Sequence, residues 1–403
     1  MPFVQNSRIV LRRLCGLLLF LAVLFLAMVP GGFISAKAET ADELTTDEAL
    51  RKVFKSNRAS GAAVVVAKDG EIVYQYQYGW ADKRDKEPIS LRTYFRIASV
   101  TKLVSAIHVM QLVEQGKLSL DADIGEYLGY RVRNPYAKGT PVTLRMLMTH
   151  TSSLSNKGGF PSARNSLRSL ISTEEQNQAN WYRETPGSVY RYSNFGAGVM
   201  GSLIESVTGL NVNDSIAESL FRPLDIDAAY AAGLLSAPQD VPDLYNAAGA
   251  MYATRNKSLT RDWDSSVDPD FHFRITVGQL WIRPSDLCRL GIMLCDGGVL
   301  DGQTVLRPET VAEMMADQQG RAGITADTPY GLCVHHETTL VDGKTLYGHQ
   351  GVTEGLLCNL YFDPETRFVF VLCTNGSSNI MDHRVVRLTR RVFDVAWNTF
   401  SGT

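Results

Sequence analysis

Strand-like runs at both ends of the chain, with helical runs between them, limit its fold more than any other feature of the sequence. Ala62 to Val66 and Ile72 to Tyr78 flank Lys68-Asp69-Gly70, and Asp-Gly between such runs is a strong hairpin signal. Leu356 to Phe362 and Phe368 to Thr374 form a second hairpin across Asp363-Pro364-Glu365-Thr366, and Thr345 to Gly348 reads as a further strand. From about Leu120 to Ile275 strand signals thin out, and short helices such as Leu144 to Met148 and Gly196 to Thr208 take over. Ser99 to Gln115 predicts a buried helix, because Leu103, Val104, Ile107, Met110, Leu112 and Val113 cover most of its sides, and Gly116 suits its C-terminal cap. Helices over Leu50 to Lys55, with Thr46 as candidate N-cap, and over Ile380 to Trp397 close the two ends. The economical fold is α+β. One antiparallel sheet is built from both termini, about 39–120 and 275–403, with a mainly helical region, about 121–274, inserted.

Arg8, Arg12 and Arg13 precede an apolar run from Leu14 to Val29, followed by Pro30-Gly31-Gly32 and Ala36-Lys37-Ala38. Basic, then apolar, then small-x-small is the order of a secretory signal peptide, and it predicts cleavage after Ala38. The alternative is an uncleaved anchor, which still exports the remainder and would be the chain's only membrane contact. The expected domains are therefore a signal peptide over 1–38 and one unit over 39–403.

The chain carries 40 Lys plus Arg against 42 Asp plus Glu, a net charge of −2, which excludes a basic nucleic-acid binder. Loss of the leader leaves 36 basic against 42 acidic side chains, a net charge of −6. Of six cysteines, Cys15 lies in the leader; Cys288, Cys295, Cys333, Cys358 and Cys373 sit among apolar neighbours. Cys358 and Cys373 could face each other across their hairpin, subject to a register that the sequence leaves open. No CxxC occurs, and His335-His336-Glu337 lacks metal-site spacing, so no metal or other cofactor is expected. Tyr74, Tyr76 and Tyr78 alternate at strand spacing, as one packed face does.

Three short patterns could carry chemistry, and each occurs once. Ser99-Val100-Thr101-Lys102 puts a hydroxyl and an amine at i and i+3 on one helical turn, where the amine can serve as base if burial keeps it neutral. Tyr192-Ser193-Asn194 follows Pro186-Gly187 on a loop. A phenol near an ammonium can lose its proton and act as base, and the Asn194 amide can both donate to and accept from a substrate amide. His349-Gln350-Gly351 ends a strand-like run, with Gly351 allowing close backbone approach and Val352 N–H facing an oxyanion together with Ser99 N–H. Taken alone, each of the three is more readily explained by a structural role.

Taken together and in this order, separated by about 90 and 155 residues, the patterns resemble serine hydrolases of the β-lactamase-related group. That group includes class C β-lactamases, D-Ala-D-Ala carboxypeptidases, D-aminopeptidases and related esterases. Phe95 to Lys102, Gln115 to Asp121, Leu147 to Leu154 with its His150-Thr151-Ser152 turn, Pro186 to Asn194, and Gly348 to Gly355 carry the resemblance. It implies a β-lactamase/transpeptidase-like fold and an acyl-enzyme on Ser99, with Lys102 and Tyr192 sharing acid–base work. Asn194, His349, Gln350 and Gly351 would contact substrate, and His150 would be structural. The implied partners are a small peptide, a β-lactam or an ester, with peptidoglycan as the larger context. H-x-G replaces the lactamase K-T-G, and His335 stands near where a carboxylate-binding arginine may occur, so recognition of a free D-Ala carboxylate is weakened. A non-catalytic wall-binding or sensory homologue is the competing class.

Overall fold

Every residue of the sequence run Ala62 to Ala67 is buried, because this strand packs on both of its faces. The computed structural model describes residues 44–160, 162–175, 178–260, 263–324 and 329–402; the expected leader lies outside them. The described elements begin with helix α1 (Thr46–Ser56), strands β1 (Gly61–Lys68), β2 (Glu71–Asp82) and β3 (Glu87–Pro88), and helix α2 (Val100–Glu114). Helices α3 (Leu144–Met148), α4 (Asn194–Thr208) and α5 (Pro284–Cys295) follow. Strands β4 (His335–Glu337), β5 (Leu346–Thr353), β6 (Leu356–Asp363) and β7 (Phe368–Thr374) lead to the closing helix α6 (Arg387–Phe400).

The strands form one seven-stranded antiparallel sheet in the order β4-β5-β6-β7-β1-β2-β3, so N- and C-terminal hairpins meet at the β7–β1 pair. Strand alternation then divides the core. Ala62, Val64 and Val66 pack with Phe54 of α1 and Val392 and Phe393 of α6. Ala63, Val65 and Ala67 join the larger core with α2, α4 and α5. Each fully buried valine contributes roughly 1.5–3 kcal/mol. The tyrosine face of β2 stacks on α1, with Phe54 5.1 Å from Tyr78 and 6.2 Å from Tyr76 between ring centroids.

Local signals act as the sequence suggests, with shifts at the ends. Asp69 (φ 54°) and Gly70 (φ 89°) both take the left-handed conformation that this two-residue hairpin turn requires. The first helix starts one residue earlier than expected, because Thr45 and Glu48 close a capping box. The last helix starts later, at Arg387, after the short Val385–Val386 strand. Strand β5 runs on to Thr353, so His349 lies within a strand and not at its end. Register places Cys358 directly opposite Cys373 with their sulfurs 3.1 Å apart, both as free thiols.

In the inserted region a 3-10 segment, His272–Val277, packs against α4. Gly198 makes this possible: a Cβ there would come within 2.1 Å of the Phe273 carbonyl oxygen. The close approach brings Arg274 and Val277 to the mouth of α2. Among the described residues no helix is long and apolar enough to cross a membrane.

Candidate active site

Serine at a helix N-cap ordinarily accepts a hydrogen bond from the first turn. Ser99 occupies that position on α2, yet its side chain makes no such bond. The residue before it, Ala98, takes a left-handed φ of 45°, a strained turn that presents Ser99 to a cleft. The hydroxyl instead meets Lys102 one turn on, with Nζ 3.1 Å from Ser99 Oγ. Nζ also donates to the Val277 carbonyl at 2.7 Å.

Lys102 is completely buried. Burial lowers its pKa from 10.5 to about 7, because no carboxylate is present to compensate the lost hydration. The amine can therefore be uncharged at neutral pH. Tyr192 lies over it, 5.3 Å from Nζ to ring centroid, and hydrogen-bonds Ser99. Burial raises the Tyr192 pKa, and its Ser99 hydrogen bond offsets only part of that. The phenolate base considered from sequence is thus disfavoured. Burial thus favours the protonated phenol of Tyr192, beside an amine that loses its proton near neutral pH.

Asn194 opens α4 and lines the cleft with Ser99 and Val352. Its Oδ1 is buried and unpartnered, an acceptor aimed at a group the protein itself does not provide. Gly351 presses against the turn that carries Ser99. A Cβ there would lie 2.3 Å from the Ile97 carbonyl oxygen and 2.9 Å from the Ser99 nitrogen. Gly351→Ala is expected to push the Ser99 and Val352 amides apart and lower kcat/KM by about 100-fold; steady-state kinetics on a soluble ester measures this.

Two expectations for H-x-G need correction. Gln350 points away from the site, because neighbouring residues of a strand face opposite sides. Its Nε2 donates to the Arg384 carbonyl and its Oε1 accepts from Val386 N–H. His349 is on the site side but buried behind Tyr192, 6.3 Å between ring centroids. Its pKa is held well below 6.5, by burial first and by His335 and Lys102 next, so it offers the cleft no charge.

A buried hydrogen-bonded chain joins His349 to the His150-Thr151-Ser152 turn. Ser193 N–H donates to His150 Nδ1 (3.2 Å), His150 Nε2 lies 3.1 Å from the Tyr330 hydroxyl, and that hydroxyl lies 3.5 Å from His349 Nε2. His349 Nδ1 donates to the Gln350 carbonyl at 2.7 Å. Both imidazoles are neutral, which fixes their tautomers and ties the Tyr192 loop to β5. His335 packs against His349 with ring centroids 3.9 Å apart and planes tilted by 39°, and it is also kept neutral by burial. Tyr330, Val277 and Arg274 belong to none of the three spaced patterns, and Arg96, though within the Phe95 to Lys102 segment, has no role assigned from sequence.

The beta-lactamase family model matches residues 46–393. The chain belongs to the beta-lactamase family. Esterase EstB of Burkholderia gladioli is 32% identical over 191 residues, 44% of this chain and 47% of the esterase. Penicillin-binding protein 4 of Amycolatopsis lactamdurans is 26% identical over 327 residues, 78% of this chain and 81% of that protein. The match spans about half or less of the first relatives, 47% of the esterase and 36% of the Staphylococcus aureus protein flp. D-amino acid amidase of Ochrobactrum anthropi SV3 shares the fold, with TM-score 0.65 and 22% identity over 88% of this chain and 99% of the amidase. The antiparallel sheet flanked by helices is that of the family.

Proposed function

We propose that the chain is an exported serine hydrolase that forms an acyl-enzyme on Ser99 and cleaves amide or ester bonds. The observation that carries this reading is the buried amine of Lys102, 3.1 Å from a serine hydroxyl that does not cap its helix. Lys102 takes the proton as Ser99 Oγ attacks the substrate carbonyl carbon. The Ser99 and Val352 backbone N–H groups receive the oxyanion, and Asn194 orients the substrate amide. As the C–N or C–O bond breaks, Tyr192 passes its proton to the leaving atom and regains one from Lys102. Water then attacks the acyl carbon by the same route in reverse, releasing the acid and restoring Ser99.

The leader pattern supports export, to the periplasm, the outer face of the membrane or the medium. The names of the relatives, an esterase, a penicillin-binding protein and an amidase, support ester or amide substrates. D-amino-acid peptides of the cell wall, cleaved in the manner of a D-Ala-D-Ala carboxypeptidase, are the amide class we favour. A second reading, an esterase, gains from one observation: the H-x-G strand brings no cation to the cleft, because His349 is neutral and Gln350 faces away.

Time-resolved intact mass of the protein mixed with benzylpenicillin tests the assignment. A lasting adduct on Ser99 is the result expected of a penicillin-binding peptidase. A fleeting adduct with accumulating hydrolysed penicillin marks a β-lactamase. No adduct, with turnover of 4-nitrophenyl butyrate, marks an esterase pocket. Neither adduct nor turnover would overturn the proposal in favour of a non-catalytic homologue.

A further inference from the structure

The cleft over Ser99 encloses about 370 Å³, and its lining includes two arginines, Arg96 and Arg274, but no Asp or Glu. This concentrates positive charge in a chain whose net charge is −2. Arg274 is held rigidly. Its Nε donates to the Phe160 carbonyl at 2.9 Å, its Nη2 donates to the Ser162 carbonyl, and the guanidinium stacks 3.9 Å over Phe273. Burial alone perturbs it, and no carboxylate pairs with it among the described residues. Nη2 also lies 3.4 Å from the Asn165 carbonyl, and Nη1 has no hydrogen-bond partner among the described residues. Arg274 also shares its 3-10 segment with Val277, whose carbonyl holds Lys102, so the cation is fixed relative to the base.

The half of the substrate that meets Arg274 follows from the proton donor. A leaving group must reach Tyr192, which does not line this cleft, whereas Ser99, Asn194 and Val352 do. The part of the substrate filling the cleft is therefore the acyl half. We propose that Arg274 forms an anion subsite for that half, so that the enzyme prefers esters or amides whose acyl group carries its own carboxylate. This rests on the acyl-enzyme reading of Ser99. A guanidinium N–H held in place gives a carboxylate a charge-assisted hydrogen bond.

The test compares 4-nitrophenyl esters with one leaving group and two acyl groups of similar length, glutarate (charged) and pentanoate (neutral). Wild type is expected to favour the glutarate in kcat/KM by about tenfold. Arg274→Gln should bring that ratio close to one, and Arg274→Lys should restore part of it. The wild-type ratio should also shrink as ionic strength rises, which a loop-holding role for Arg274 would not produce. An ester with its carboxylate on the leaving group, 3-carboxyphenyl pentanoate, should gain nothing. An unchanged ratio in Arg274→Gln, or a preference for the leaving-group anion, overturns the proposal. If no ester turns over, phenylboronic acid with and without a meta-carboxylate gives the same ratio as Kd. Failure of both boronates to form a Ser99 adduct would remove the acyl-enzyme reading itself, whereas adducts that bind equally would remove only the subsite.

Discussion

Ser99→Ala is expected to lower kcat/KM by about 10⁵-fold and to abolish every covalent adduct, with the fold retained. The size of the loss follows from the site's construction. Lys102 and Tyr192 both converge on Ser99 Oγ, so without that atom neither has a proton to move. Stability should change little, because the Ser99 side chain makes no capping bond that Ala would lose. Intact-mass labelling and steady-state kinetics read the first effect, and thermal unfolding reads the second. Turnover within tenfold of wild type would dismiss Ser99 as the nucleophile.

Lys102→Met is expected to act in opposite directions on activity and stability. In wild type kcat/KM should climb as pH rises through about 7, where the buried amine loses its proton. The variant should lose this limb and about 10³-fold or more of kcat/KM. For stability the sign follows from the lowered pKa. Between about 7 and 10.5 the unfolded chain binds the proton more readily than the folded one, so stability rises with pH across that window. The cost of burying Lys102 is fully present below about pH 7 and gone above about 10.5. It amounts to something on the order of 4 kcal/mol at pH 7. Loss of the bonds to Val277 and Ser99, about 1 kcal/mol each, offsets part of the gain. Lys102→Met should therefore stabilise the protein at pH 7 by on the order of 2 kcal/mol, an advantage that vanishes near pH 9 and reverses above it. Denaturant unfolding at several pH values measures this. A variant less stable than wild type at pH 7 would mean that Lys102 is buried as a compensated charge.

The pairing of Ser99 with Lys102 was legible because it is local. Ser99 and Lys102 are three residues apart, and a helix brings that spacing to one face without help from the rest of the chain. The hairpins were legible for the same reason, since Asp69-Gly70 sets its own turn. Gln350 was misread because an H-x-G triplet invites all three residues into one site. Within β5 the alternation of side chains sends Gln350 to Val386 on the opposite face. The state of Tyr192 also depended on tertiary burial, since the sequence allowed either a charged or a neutral amine beside the phenol and only burial lowers the Lys102 pKa to about 7.

The sequence by itself determined which residues could react, the order in which they come and the hairpin ends that assemble the sheet, because turn chemistry and i, i+3 spacing are properties of a few adjacent residues. Tertiary structure alone decided which of them share a cleft and in what charge state. Val277 reaches Lys102 across 175 residues of chain through a carbonyl that any residue could supply, and Tyr330 links His150 to His349 across 180 and 19 residues. Arg274 enters the cleft because Gly198 lets its segment approach α4. Such contacts depend on burial and distance, which no spacing pattern along the chain encodes.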